Sequence, residues 1–188
     1  MSTSSSPAPW LLRLCGHIDR LSALAAQTGA WAMLLSTLIS AGNALARYSW
    51  TAGSNAWLEI QWYFFAACVM LGAAHVLQAN EHVRVDLVYG RLKPRAQVWI
   101  DLLGLTFFLL PVTLFLAWIS WPFFLQAWHS GEGSENAGGL VRWPVLLMLP
   151  VGFSLLSLQG LCELVKRAAW LTGARHATLS LDYERPLQ

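Results

Sequence analysis

Four long apolar segments, separated by short polar stretches, dominate the hydrophobic pattern of the 188-residue chain. The segments lack the polar–apolar alternation of a β-strand and are rich in leucine and alanine, which favours helices. A helix needs about 20 mostly apolar residues to cross the hydrocarbon core of a bilayer. Each segment is long enough, and the predicted spans cover residues 24–46, 56–79, 98–128 and 143–165. The pattern therefore predicts an all-α integral membrane protein with four transmembrane helices.

The composition agrees with this class. Hydrophobic residues make up 56% of the chain, the mean hydropathy is +0.47, and there are 11 tryptophans. A soluble domain of this length does not need so much apolar surface, and the surplus would drive aggregation in water. Many tryptophans fall near the ends of the predicted spans, where the indole ring prefers the membrane boundary. The composition argues against a soluble enzyme or a nucleic-acid-binding domain.

The distribution of basic residues predicts that both termini are cytoplasmic. If the N terminus is cytoplasmic, ten Lys and Arg residues fall on that side and two on the other. Cytoplasmic loops carry such an excess, so the opposite orientation is disfavoured. The ten are Arg13, Arg20, Arg84, Arg91, Lys93, Arg95, Lys166, Arg167, Arg175 and Arg185, and the two are Arg47 and Arg142.

The remaining segments flank or connect a membrane domain predicted at residues 10–170. Residues 1–9 are rich in Ser and Pro and are predicted to be a disordered tail, and residues 171–188 a cytoplasmic tail. Residues 10–22 carry apolar side chains on one helical face, which predicts a helix lying in the membrane interface. A second short interfacial helix is expected after span two. A cleaved signal peptide is disfavoured, because the polar leader is long and the apolar run fills a whole span.

Asp101 and Glu163 are ionisable residues at span ends, where an unpaired charge is costly. Asp101 opens span three and Glu163 closes span four, so both lie near the predicted cytoplasmic boundary. We expect them to pair with Arg95, Lys166 or Arg167.

Span two carries two further ionisable residues, Glu59 near its outer end and His75 near its inner end. Arg47 is the expected structural partner of Glu59; a proton or ion relay, or a pair with another protein, is the alternative. His75 is expected to form a buried hydrogen bond between helices. A membrane haem usually needs two histidines on facing helices, and no other histidine is in mid-span.

The prolines, the cysteines and one glycine-rich loop also give expectations about local structure. Pro111, Pro122 and Pro150 are expected to kink their helices or free a carbonyl group. The three cysteines form no CxxC pair, so no structural disulfide is expected. The loop at 130–143 is expected to be flexible and acidic, with a docking surface for an extracytoplasmic partner as the alternative.

The stretch NEHVRVDLVYG at residues 80–90 concentrates charge in a chain that is only 12% charged. It contains Glu81, His82, Arg84 and Asp86. It lacks the two-histidine spacing of a zinc helix, and no Ser or Cys nucleophile lies beside it. These residues predict a charged cytoplasmic elbow, and neither a metal, a cofactor nor a catalytic role is expected.

The same stretch resembles a known family. EHVRVD, followed by a short helix and the basic turn at 93–95, is similar to the small membrane subunit of tripartite ATP-independent periplasmic (TRAP) transporters, the DctQ-like family. The resemblance covers roughly residues 10–170 and also rests on Asn43, Arg47-Tyr48, Trp57, Glu59, Gly138-Gly139-Leu140, Trp143 and Pro150.

The resemblance implies a non-catalytic scaffold subunit in the bacterial inner membrane. Such a subunit braces a large multi-span subunit for sodium-driven uptake of an organic acid, which a periplasmic substrate-binding protein delivers transiently. Besides these two proteins, membrane lipids are the expected partners. The candidate structural or subunit-contact residues are Arg47, Glu59, His82, Arg84, Asp86, Asp101 and Trp143.

Two other function classes remain open. A four-helix haem- or quinone-linked redox protein would use His75 and His82, and its Soret band would disappear in His75→Ala. A self-sufficient, proton-coupled small transporter would work through Glu59, and Glu59→Gln would abolish its transport with no other subunit present.

Overall fold

The computed structural model describes residues 9–50, 53–80, 89 and 92–173. They form helices α1 (Pro9–Trp50), α2 (Asn55–Ala79), α3 (Pro94–Gly104), α4 (Leu110–Ser130) and α5 (Trp143–Leu171). A π-helical segment, Leu105–Leu109, joins α3 to α4, so that these three elements form one long span. Four helical segments are thus long and apolar enough to cross a membrane. The predicted all-α, four-span class is confirmed.

Helix α1 is one continuous helix of 42 residues. At 1.5 Å per residue it is about 63 Å long, roughly twice the thickness of the hydrocarbon core. Residues 10–22, predicted to form a short interfacial helix, are its first turns and continue into span one without a break, and their place in the membrane interface stays a prediction. Trp10, Leu14 and Leu21 are exposed on these turns, whereas Cys15 and Ser22 are buried.

Small and polar side chains at seven-residue intervals form the buried face of α1. Such residues let two helix backbones approach closely and hydrogen-bond across the contact. In the middle of the repeat, a Cβ atom on Gly29 would lie 3.1 Å from the Cα atom of Cys68 on α2. The repeat consists of Cys15, Ser22, Gly29, Ser36 and Asn43.

Helix α5 occupies the centre of the bundle. It packs against α2 and α4 along its length and also contacts α1 and α3. A Cβ atom on Gly152 would lie 2.6 Å from Cβ of Met70 on α2, and one on Gly160 would lie 2.8 Å from Cδ2 of Leu109. Two glycines therefore allow α5 to approach its neighbours on both sides.

The helices alternate in direction, which gives the bundle two distinct ends. The terminal end contains the start of α1, the end of α2, the start of α3 and the end of α5. The loop end contains the end of α1, the start of α2, the end of α4, the start of α5 and the 131–142 loop between α4 and α5.

The span Pro94–Ser130 changes its helical pitch next to a proline. The π-helical segment ends at Leu109, two residues before Pro111, which cannot donate a backbone hydrogen bond. The hydroxyl of Thr113 donates to the carbonyl oxygen of Leu109 at 2.9 Å. A proline and a π-bulge are both recognised causes of helix bending.

Candidate functional site

At the loop end, the carboxylate of Glu59 on α2 holds the connection between α4 and α5. Its Oε1 atom accepts hydrogen bonds from the hydroxyl of Ser134 and from Nδ2 of Asn136, the latter at 2.7 Å. Its Oε2 atom accepts a bond from the backbone N–H of Leu140, also at 2.7 Å. Both carboxylate oxygens are thus engaged by the 131–142 loop.

The 131–142 loop is folded as a small hairpin. The backbone N–H of Ser134 donates to the carbonyl oxygen of Leu140 at 2.9 Å, and that of Arg142 donates to Glu132 at 3.0 Å. The side chains of Arg142 and Glu132 also form an ion pair. These bonds give the loop a defined shape that presents its donors to Glu59.

Two further side chains of α2 fix this loop. The Tyr63 hydroxyl donates to the carbonyl oxygen of Val141 at 2.8 Å, and Nδ2 of Asn55 donates to that of Ala137 at 3.0 Å. A Cβ atom on Gly139 would lie 2.8 Å from Oε1 of Glu59, so glycine permits the close approach. The acidic loop that was expected to be flexible is thus bound to α2 at several points in this structure, and its flexibility stays a prediction.

The predicted pairing of Arg47 with Glu59 is wrong. Three donors from the 131–142 loop satisfy the Glu59 carboxylate, and Arg47 is not among them. The Arg47 side chain instead lies over Gly53, where a Cβ atom would come within 2.9 Å of its Cγ atom. Arg47 is exposed and forms no ion pair with another described residue.

At the terminal end, a polar network joins α1 to α5. The Ser22 hydroxyl donates to Oε1 of Gln159 at 2.8 Å, and Nε2 of Gln159 donates to Oδ1 of Asp19 at 2.9 Å. Nζ of Lys166 lies 2.7 Å from the same Asp19 oxygen and 2.9 Å from Oε1 of Glu163. Ser22 and Gln159 are fully buried, so the network secures the first turns of α1.

The network continues through Arg167 to α3. Nε of Arg167 lies 3.1 Å from Oδ2 of Asp101, and its Nη1 atom pairs with Oε2 of Glu163. The hydroxyl of Tyr89 donates to the other Asp101 oxygen at 3.0 Å. The predicted pairing of Asp101 and Glu163 with Lys166 or Arg167 is confirmed.

Sequence reasoning missed the other members of this network. Asp19, Ser22 and Gln159 were not singled out, although they supply the link between α1 and α5. Gln159 offered a signal, since a polar side chain inside an apolar span requires a partner just as an ionisable one does.

Between the two ends, the polar contacts among the described residues involve no Lys, Arg, Asp or Glu side chain. The Ser157 hydroxyl donates to Oγ1 of Thr113 at 2.8 Å, which links α5 to α4. The Ser36 hydroxyl donates to the backbone oxygen of Gln61 at 3.1 Å, which links α1 to α2. His75 was expected to bond between helices, but its Nδ1 atom lies 3.1 Å from Oε1 of Gln78 on the same helix.

Aromatic packing closes the loop end. The rings of Trp128 on α4 and Trp143 on α5 meet edge to face, with centroids 4.6 Å apart. Phe124 extends this contact, with its centroid 6.0 Å from that of Trp128. Trp143 thus joins the two helices on either side of the 131–142 loop.

Three candidate residues, His82, Arg84 and Asp86, lie outside the described residues, and their roles stay predictions. Within the described part of the chain, no group of three or more His, Cys, Asp or Glu side chains is arranged to hold a metal ion. The cysteines there, Cys15, Cys68 and Cys162, are unpaired thiols.

Comparison with known proteins identifies the family. The family described as tripartite ATP-independent periplasmic transporters, DctQ component, matches residues 23–169, which is most of the chain. No match was found among curated proteins or among solved structures. The family is one of transporter components and not of enzymes. Together with the four spans, this match shows that the chain is a multi-pass membrane protein of the DctQ family of TRAP transporter components.

Proposed function

We propose that the chain is the small permease subunit of a TRAP secondary transporter and acts as a scaffold. It braces the large multi-span subunit during sodium-driven uptake of an organic acid, which a periplasmic substrate-binding protein delivers. The family match over residues 23–169 carries this proposal. We place the subunit in the bacterial inner membrane with the terminal end cytoplasmic, because that end holds most of the basic residues.

The distribution of polar groups supports a scaffold. The charged networks lie at the two ends of the bundle, where the carboxylates of Glu59, Asp101 and Glu163 are hydrogen-bonded within the chain. The middle of the described bundle carries neutral contacts such as Ser157–Thr113. A charged substrate or ion needs polar groups across the membrane, and the described helices offer no continuous set of them. The transport route therefore belongs to the large subunit.

Glu59, Asp101 and Trp143 act as structural residues in this proposal. Each joins elements of the same chain: Glu59 fixes the 131–142 loop on α2, Asp101 connects α3 to α5, and Trp143 connects α5 to α4. Arg47, which is exposed and not paired with a described residue, is the candidate for contact with another subunit.

Reconstitution of the three components tests the function. The chain, co-expressed with a large TRAP subunit, is expected to be recovered in a stoichiometric complex after detergent extraction. Proteoliposomes containing this complex, the binding protein and a sodium gradient should accumulate an organic acid, and omission of any component should stop uptake. Uptake by liposomes that contain this chain alone would refute the scaffold role.

The variant Glu59→Gln separates the scaffold from a self-sufficient proton-coupled transporter. In a scaffold, the amide keeps only one of the two acceptor oxygens, so assembly should fall, whereas the assembled complex should keep its transport rate once complex yields are matched. Loss of transport by an intact, fully assembled complex would assign Glu59 a direct role in transport.

A further inference from the structure

Asn43 and Arg47 form a polar face on α1 at the loop end that no described residue pairs with. They lie four residues apart and therefore share one side of the helix. Arg47 is exposed and has no ion pair with a described residue. Asn43 is only 6% exposed, yet no hydrogen bond joins its side-chain amide to another described residue. The NH2 group of Asn43 and the guanidinium of Arg47 are both donors for which no described residue provides a side-chain acceptor.

Asn43 lines a pocket. Among the described residues, every side-chain nitrogen or oxygen that is fully enclosed has a hydrogen-bond partner, so the Asn43 amide, which has none, is not fully enclosed. The volume is about 430 Å³, enough to admit a side chain. It lies between α1 and α2 and is lined by Gly42, Asn43, Ala46, Gly53, Ser54 and Trp57.

The other polar members of the seven-residue repeat on α1 are satisfied within the chain. The Ser22 hydroxyl donates to Gln159 at 2.8 Å, and the Ser36 hydroxyl donates to the backbone oxygen of Gln61 at 3.1 Å. Asn43 continues the same repeat, but no described residue accepts a hydrogen bond from its amide. An amide in apolar surroundings is costly unless it is hydrogen-bonded, so an acceptor supplied by another protein would stabilise it.

We propose that an acidic side chain of the large membrane subunit enters this pocket. Its carboxylate accepts a hydrogen bond from Nδ2 of Asn43 and pairs with the guanidinium of Arg47. Charge complementarity selects a carboxylate, because Arg47 is a cation with donors only. The location between two spanning helices selects a membrane partner over the soluble binding protein. This inference rests on the proposed function.

Co-purification measures the contribution of each group. With the full chain co-expressed and limiting, Asn43→Leu and Arg47→Gln are each expected to lower recovery of the large subunit about tenfold. Thr37→Val and Arg20→Gln are matched controls, because both side chains are exposed on the same helix. They should leave recovery unchanged. Wild-type recovery by both test variants would overturn the inference.

Measuring the stability of the isolated chain tests whether Asn43 serves only the fold of this chain. Asn43→Leu removes an unpaired amide, so the isolated chain should unfold at the same or a higher concentration of sodium dodecyl sulfate than the wild type. A lower midpoint that parallels the loss of the complex would show that Asn43 serves the fold of this chain and would overturn the inference.

Photo-crosslinking identifies the occupant. Tyr48 is 96% exposed and follows Arg47, so p-benzoylphenylalanine at position 48 leaves the two recognition residues intact. Its crosslinks should map to a segment of the large subunit that contains an Asp or Glu. Crosslinks only to lipid, to a second copy of this chain or to the binding protein would overturn the inference. Failure of the wild-type chain to recover the large subunit would instead refute the proposed function itself.

Discussion

Replacing Arg167 with glutamine is expected to destabilise the isolated chain by about 3 kcal/mol, because the change leaves two carboxylates without their shared cation. The side chain of Arg167 is 6% exposed, and those of Glu163 and Asp101 are 5% and 11% exposed. Breaking a buried pair costs about 3–5 kcal/mol. The lower value applies, because Nζ of Lys166 remains 2.9 Å from Glu163 and the Tyr89 hydroxyl remains 3.0 Å from Asp101.

Removing one carboxylate from the same network should be far less harmful. The network contains three carboxylates, on Asp19, Asp101 and Glu163, and two cations, on Lys166 and Arg167. Glu163→Gln equalises the charges and keeps an acceptor oxygen, so its cost should be about 1 kcal/mol. The difference of about 2 kcal/mol between the two variants corresponds to a roughly 30-fold difference in the unfolding equilibrium.

Unfolding of the full chain in mixed micelles measures this difference. Sodium dodecyl sulfate is titrated, and the fluorescence of the 11 tryptophans reports unfolding. Arg20→Gln makes the same chemical change at an exposed position of α1 and should have little effect. Equal midpoints for Arg167→Gln and Glu163→Gln, or an equal shift for Arg20→Gln, would refute the charge-balance reasoning.

Two glycine substitutions test whether the close approaches at Gly139 and Gly152 require glycine. Gly139→Ala places a Cβ atom 2.5 Å from Cβ of Ser134 and should make the 131–142 loop more sensitive to added protease, whereas Gly133→Ala, with nothing within 4 Å, should not. Gly152→Ala places a Cβ atom 2.9 Å from the backbone oxygen of Met70, which should cost about 1–3 kcal/mol in the same detergent titration. Gly72→Ala on α2, which meets open space, is its control, and equal effects of a variant and its control would contradict the packing argument.

The four spans could be predicted from the sequence, because the thickness of the hydrocarbon core fixes the length of each apolar run. The residues at which the helices begin and end could not be predicted as well. Span one was predicted at residues 24–46, but α1 covers Pro9–Trp50. Residues 10–22 have a helical period of their own, and nothing in the pattern shows whether two adjacent helical segments bend or continue straight.

The partners of individual polar groups could not be predicted in the same way. Glu59 was assigned to Arg47, the cation at the end of the preceding span. Its actual partners include Ser134 and Leu140, 75 and 81 positions away in sequence. Their proximity depends on how the hairpin of α4 and α5 packs against α2, and no local pattern contains that information. The partners of Asp101 and Glu163 were easier to predict, because few cations lie at the same membrane boundary and two of them are close to Glu163 in sequence.

The position of α5 in the network also bears on how the protein is made. The ribosome synthesises α5 after the other described helices, yet α5 supplies Gln159, Glu163, Lys166 and Arg167, to which α1 and α3 are bound. During synthesis, Asp19 and Asp101 therefore enter the membrane region before their counter-charges exist. They must stay hydrated at the boundary until the final helix arrives. Insertion of that helix is then the step that joins α3 and α4 to the α1–α2 pair.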